Sequence, residues 1–287
     1  MNSGIVKSPA GAVSHEDKTR LSSLERILLL LPIAGGLVFG LGPLLLGGAF
    51  GEALGFSGND TFIYRLAGAA TLGYAVSLTM GLRQGDWTQL RLVLVATLAF
   101  NVASIYACGA QLMAGDSNLV IYLILGTSIA ITAITASMLN RRAGAERPAA
   151  DVSVWYTRFL ILGTGLSAVF GVGPLLFPVR MAQSLGFNGT DVFLIRQAGA
   201  ASLGYAVMGV YGIRSGAWSE LRLPLVMALI FNGFSFVASV FALFSGEPVL
   251  ISVVIGAASL FVTIVGTIAY RCKGNLPHQH SIIPTSA

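Results

Sequence analysis

Charge is scarce in this 287-residue chain, and histidine and lysine are missing from the stretches where they would carry chemistry. Only 10% of residues are charged while 55% are hydrophobic, whereas about a quarter of a soluble domain is charged. The three histidines, His15, His278 and His280, lie outside every long apolar run. No His/Glu or His/Asp constellation can form there, which removes the ligands of a membrane metalloprotease or zinc hydrolase. Carboxylates are equally sparse: Glu52, Asp60, Asp116, Asp191 and Glu247 fall in or near the loops between apolar runs, leaving none at mid-membrane for a proton relay. No lysine lies in an apolar run, so a retinal-type Schiff base has no attachment point. The glycine pattern of a P-loop is absent, and direct coupling to ATP hydrolysis would need a partner. Cys108 lies inside an apolar run and Cys272 just past the last one, which gives no disulfide framework.

What the chain has is apolar length. Mean hydropathy is +0.79, and 35 glycines supply the small surfaces that let helices approach where no hydrophobic drive acts between them. A helix needs about 20 apolar residues to cross a hydrocarbon core of about 30 Å. Eight runs meet that length, at 27–50, 62–82, 92–113, 118–139, 159–178, 192–213, 223–244 and 249–270. The first is too long for the apolar region of a signal peptide, about 7 to 15 residues, and reads as a spanning helix.

The chain also repeats itself. Gly55 to Ala75 reads GFSGNDTFIYRLAGAATLGYA and Gly186 to Ala206 reads GFNGTDVFLIRQAGAASLGYA, with 14 identities in 21 positions at an offset of 131. The expected architecture is all-α and polytopic: eight transmembrane helices arranged as two parallel four-helix repeats. An even number of spans per copy sends the second copy in the same way up as the first, with a pseudo-twofold axis along the membrane normal. The boundaries are a cytoplasmic tail at 1–26, a first repeat at 27–140, a cytoplasmic linker at 141–157, a second repeat at 158–271 and a tail at 272–287. The first tail is polar, mixed in charge and without apolar periodicity, and reads as disordered; the linker is polar, and the second tail has two prolines and no apolar face.

Lysine and arginine set the orientation. Fourteen of the 17 fall on one side of the predicted membrane; Arg65, Arg180 and Arg196 are the exceptions. Both termini are therefore expected to be cytoplasmic, in the inner (plasma) membrane. The net charge of +5 follows from the same bias, and no nucleic-acid partner is expected.

Few polar groups remain as candidates, and they come in pairs. Asp60 and Asp191 follow turn sequences, where a carboxylate caps the helix that starts there. Arg65 and Arg196 lie five residues on, about 140° around the helix from those aspartates. They either snorkel outward or pair across the repeats, or they converge on an anionic headgroup or solute. Asn101 and Asn232 lie near mid-membrane, where an amide is expected to find a partner on another helix; the sharper alternative is a polar constriction between the copies. Tyr74 and Tyr205 follow the small-residue faces Ala69-xxx-Gly73 and Ala200-xxx-Gly204, read as tight helix packing. Gly36-xxx-Gly40 and Ser167-xxx-Gly171 are further packing faces. Pro43 and Pro174 predict kinks within the first span of each copy.

The Arg-x-Ala-Gly-Ala-Ala-x-Leu-Gly-Tyr stretches and the four-span layout of about 110 residues resemble DoxX-like proteins, small four-helix bacterial membrane proteins, here fused in tandem. The resemblance implies an inner-membrane location and assigns no catalytic residue. No catalytic, cofactor-binding or metal-binding residue is expected. The expected function is a non-enzymatic scaffold or accessory subunit, with a passive transporter or channel for a small anion, lipid or neutral solute between the repeats as the alternative. A membrane enzyme acting on lipid is a third, with Arg65 or Arg196 holding phosphate beside a titratable cluster. Expected partners are the lipid bilayer, anionic lipid, and a protein partner or second copy of the chain.

Overall fold

The computed structural model describes residues 20–145, 148–187, 190–246 and 249–274. Among them the chain is helical without strands: α1 (Ser23–Leu28), α2 (Leu30–Leu46), α3 (Gly48–Ala53), α4 (Thr61–Gln84), α5 (Trp87–Met113), α6 (Leu119–Arg141), α7 (Val154–Leu176), α8 (Pro178–Ser184), α9 (Val192–Ser215), α10 (Trp218–Phe244) and α11 (Val249–Gly274).

The helices start and stop for local reasons. Ser22 and Glu25 form a reciprocal capping box on α1, which satisfies backbone donors that no helical carbonyl can reach. Asp86, Asn118 and Ser153 cap α5, α6 and α7 with their side chains. Gly85 and Gly216 end α4 and α9 in the left-handed conformation, which favours glycine.

Two boundaries differ from the sequence expectation. The first helix begins at Ser23 and residues 20–22 are packed, so part of the expected tail at 1–26 is structured: Leu21 N–H donates to Gly85 O at 2.9 Å. The segment before α7 is likewise pinned, with Asp151 and Val152 N–H groups donating to Gly216 O at 2.9 and 3.1 Å. Backbone pairing that spans 60 residues leaves no trace in composition. The remainder of the first tail, and 275–287 of the second, lie outside the described residues. Helix α2 runs through Pro43 and stops a turn later at Gly47, φ +56°. There the chain turns into α3, and after α7 it turns into α8. These helices of six and seven residues are too short to show a periodicity along the chain.

Among the described residues, six helical segments are long and apolar enough to cross a membrane: Ser23–Leu46, Trp87–Met113, Leu119–Arg141, Val154–Leu176, Trp218–Phe244 and Val249–Cys272. This is a helical membrane protein. Helices α4 and α9, each 24 residues, are not among the six. They sit at the centre, wrapped by α2, α5, α7 and α10, so little of their surface has to be apolar for lipid.

Helix α2 packs on α4 and α7 on α9. A Cβ on Gly40 would lie 2.9 Å from the Leu72 backbone, and one on Gly171 would lie 2.8 Å from the Leu203 backbone nitrogen. These are the small-residue faces picked out in the sequence, used for close backbone approach. The third helices cross over: α5 lies along α9, and α10 along α4. The halves are interlocked, and the start of α4 lies against the start of α9, where Phe56 stacks on Phe193 and Phe62 meets Phe187.

Replacing Gly40 or Gly171 with alanine forces α2 from α4, or α7 from α9. The expected cost is about 1–3 kcal/mol, read as a lower midpoint of thermal unfolding in detergent. Gly126→Ala, where an added Cβ meets nothing within 4 Å, is expected to leave the midpoint unchanged.

Candidate functional site

Tyr74 and Tyr205 stand where α4 and α9 meet, and they exchange hydrogen bonds. The Tyr74 hydroxyl donates to Ala201 O at 2.7 Å and the Tyr205 hydroxyl to Ala70 O at 3.0 Å. Their rings meet edge-on at 5.2 Å, with Phe100 against the first and Phe231 against the second, each at 5.1 Å. An added Cβ on Gly73 or Gly204 would collide with the opposing tyrosine hydroxyl. The sequence picked out the small residues; it did not show that they make room for a tyrosine from the other half.

The aspartates are buried but do not cap. Asp60 and Asp191 occupy the first position before α4 and α9, yet neither side chain bonds the helix it precedes. This corrects the capping expectation. The Asp191 carboxylate accepts from Ser57 N–H and from the Tyr64 hydroxyl, both at 3.0 Å, and both belong to the first half. A buried carboxylate with donors available across the seam bonds there rather than to its own helix.

The arginines turn away from each other, each toward a helix of the opposite half. The Arg65 guanidinium lies over the Phe241 ring of α10 at 5.5 Å. Arg196 Nη1 donates to Gln111 Oε1 of α5 at 3.1 Å, and its Nε is buried with no hydrogen-bond partner. The positions that would complete the match differ, since Gln111 corresponds to Ala242. The two guanidinium groups thus make separate contacts among the described residues.

Asn101 and Asn232 also depart from expectation. Each Nδ2 donates at 2.8 Å to a carbonyl of its own helix, Thr97 O and Ala228 O respectively, instead of bridging to another helix. The i−4 carbonyl is the nearest acceptor a mid-helix amide can reach. What the asparagines do share is a cavity wall, one in each half. Asn101 lines a cavity of about 140 Å³ and Asn232 one of about 290 Å³. The walls correspond position by position at the offset of 131: Phe39 and Phe170, Pro43 and Pro174, Tyr74 and Tyr205, Phe100 and Phe231.

Among the described residues no charged side chain lines either cavity. Most hydroxyls in the first wall are already bonded: Thr71 to Ala67 O, Thr97 to Val93 O and Ser128 to Ser104 Oγ. Both cavities are therefore apolar in their lining and suited to a neutral molecule, and the polar edge of the first is largely satisfied within the protein. The sequence-predicted residues split three ways. The tyrosines form the seam, the aspartates and arginines its outer end, and the asparagines two separate chambers. Among the described residues no group of three or more His, Cys, Asp or Glu could hold a metal ion.

No family model matches this chain, and neither a curated protein nor a solved structure does.

Asp191→Ala would strand the Ser57 N–H and the Tyr64 hydroxyl in a buried seam. The expected cost is about 2–4 kcal/mol, while Asp191→Asn, which keeps an acceptor oxygen, is expected to cost less than half of that. Thermal unfolding of both variants in detergent checks the ratio.

Proposed function

We propose that this chain is a non-enzymatic protein of the inner membrane, a scaffold or accessory subunit whose two halves each hold a neutral apolar molecule drawn from the bilayer. The observation that carries this reading is the pair of cavities, uncharged and lined by matching positions. An apolar chamber of this kind stays dry and takes an apolar guest.

The reading includes eight membrane crossings. At 1.5 Å per residue the 24 residues of α4 reach about 36 Å, enough to cross a core of about 30 Å. Connectivity argues for it as well: the chain enters α1 beside the end of α4, as the Leu21 to Gly85 bond records, and it enters α7 beside the end of α9. Contacts that exchange at an offset of 131 support two parallel four-helix repeats about an axis running along α4 and α9. The surplus of arginine at the α1 and α5 end supports cytoplasmic termini. The layout shared with DoxX-like proteins belongs to the same proposal.

A conduit between the repeats finds less support. The reciprocal tyrosine bonds occupy that seam, and an anion would meet no cation in either chamber.

Two measurements test the reading. Cys272, an exposed thiol near the end of α11, is expected to react with a membrane-impermeant maleimide only after cells are permeabilised; labelling of intact cells would reverse the orientation. Purified protein in liposomes is expected to pass chloride and glycerol no faster than empty vesicles, while native mass spectrometry in mild detergent retains bound apolar lipid. Flux well above the empty-vesicle rate would overturn the scaffold reading.

A further inference from the structure

The second cavity has about twice the volume of the first, although their walls correspond. The two halves differ at one pair of positions beside these walls. The first half has Ile33 and Leu78, both buried in the central apolar cluster. The second half has Thr164 and Gly209 at the same places. Glycine removes the side chain that fills this corner of the first cavity, and Pro32 of the first wall is likewise replaced by Gly163. The Thr164 hydroxyl faces the vacated corner, since a Cβ added to Gly209 would collide with its Oγ1.

That hydroxyl is buried and hydrogen-bonds nothing. Thr71, Thr97 and Thr127 instead donate to the carbonyl four residues back, at 2.9, 2.8 and 2.6 Å, while Thr132 Oγ1 shares the unpartnered state of Thr164 but lines neither cavity. A buried donor without a partner is destabilising unless something arrives to accept from it. The uncharged wall excludes ions. An apolar cavity near 150 Å³ takes a benzene-sized guest, which matches the first cavity, so the second has room for about two rings.

We propose that the second cavity alone is a selective site, taking a neutral, membrane-soluble molecule of about two-ring bulk with one hydrogen-bond acceptor, to which the Thr164 hydroxyl donates. This rests on the reading of both cavities as apolar binding chambers, and it adds which one is specific and for what chemistry.

Benzophenone, two rings joined by a carbonyl, serves as both ligand and photoprobe. The full chain in nanodiscs is irradiated with it, and labelled peptides are mapped by mass spectrometry. Labelling is expected at second-cavity residues such as Met181, Leu185 and Leu166, and not at their first-cavity counterparts Phe50, Leu54 and Gly35. The double variant Thr164→Ile with Gly209→Leu copies the residues of the first half. It is expected to fold, as judged by circular dichroism and its melting midpoint, and to lose labelling by about tenfold. Thr164→Val, which keeps the shape and removes the hydroxyl, is expected to weaken half-maximal labelling about fivefold, the worth of one buried hydrogen bond. Diphenylmethane, which lacks the carbonyl, should compete poorly with wild type but equally well with Thr164→Val. Equal labelling of both cavities, or labelling indifferent to Thr164→Val, overturns the proposal while leaving the two-chamber reading intact. Labelling of neither cavity overturns both.

Discussion

Two tyrosine hydroxyls, each donating to a backbone carbonyl of the opposite half, hold α4 against α9. In a bilayer no hydrophobic force pulls helices together, so close packing and hydrogen bonds between them must do it. The hydroxyls can reach those carbonyls because Gly73 and Gly204 leave space for them. Once α4 and α9 are joined at this level, α5 is carried onto α9 and α10 onto α4. The two halves then cannot separate without breaking the centre of the molecule.

The cavities follow from the same constraint. Small residues draw α2 onto α4 and α7 onto α9, while α6 and α11 follow α5 and α10 outward. Helix α2 then meets α6 only sparsely, and α7 makes no comparable contact with α11. Space is left between the outer helices of each half, and it is bounded on the inner side by the tyrosine that closes the seam. A chamber formed in this way is flanked by lipid-facing helices and lined by apolar groups. That is why its guest would come from the membrane rather than from water.

At the end where α1, α5 and α10 begin, two buried carboxylates are each paired with an arginine. The Glu25 carboxylate takes two bonds from Arg142, at 3.1 and 2.8 Å, and the same guanidinium lies over Trp87 at 5.1 Å. This ties the entry of α1 to the exit of α6. On the other side Arg91 pairs with the buried Glu220 at 3.2 Å, joining α5 to α10 across the halves. The second half has no copy of the Glu25 arrangement: Tyr156 stands at that position and meets Trp218 edge-on. Each half thus closes its charged end with different chemistry on the same backbone plan, as each half sizes its cavity differently.

The amino-acid sequence by itself determined that the chain is helical, membrane-embedded and internally repeated, because run length, glycine content and the 131-residue offset are local or linear properties. It also picked out the residues that matter at the seam, Tyr74, Tyr205 and their glycines, and the asparagines of the cavity walls. Only the tertiary structure decided what those residues touch. Asp191 could have capped its own helix, and Asn101 could have bridged to another, since periodicity does not say which acceptor is nearer. The crossing of α5 and α10 between halves, and the gap opened by Gly209 and Thr164, depend on which faces meet. That depends on side-chain volumes at positions more than a hundred residues apart, and no pattern along the chain encodes it.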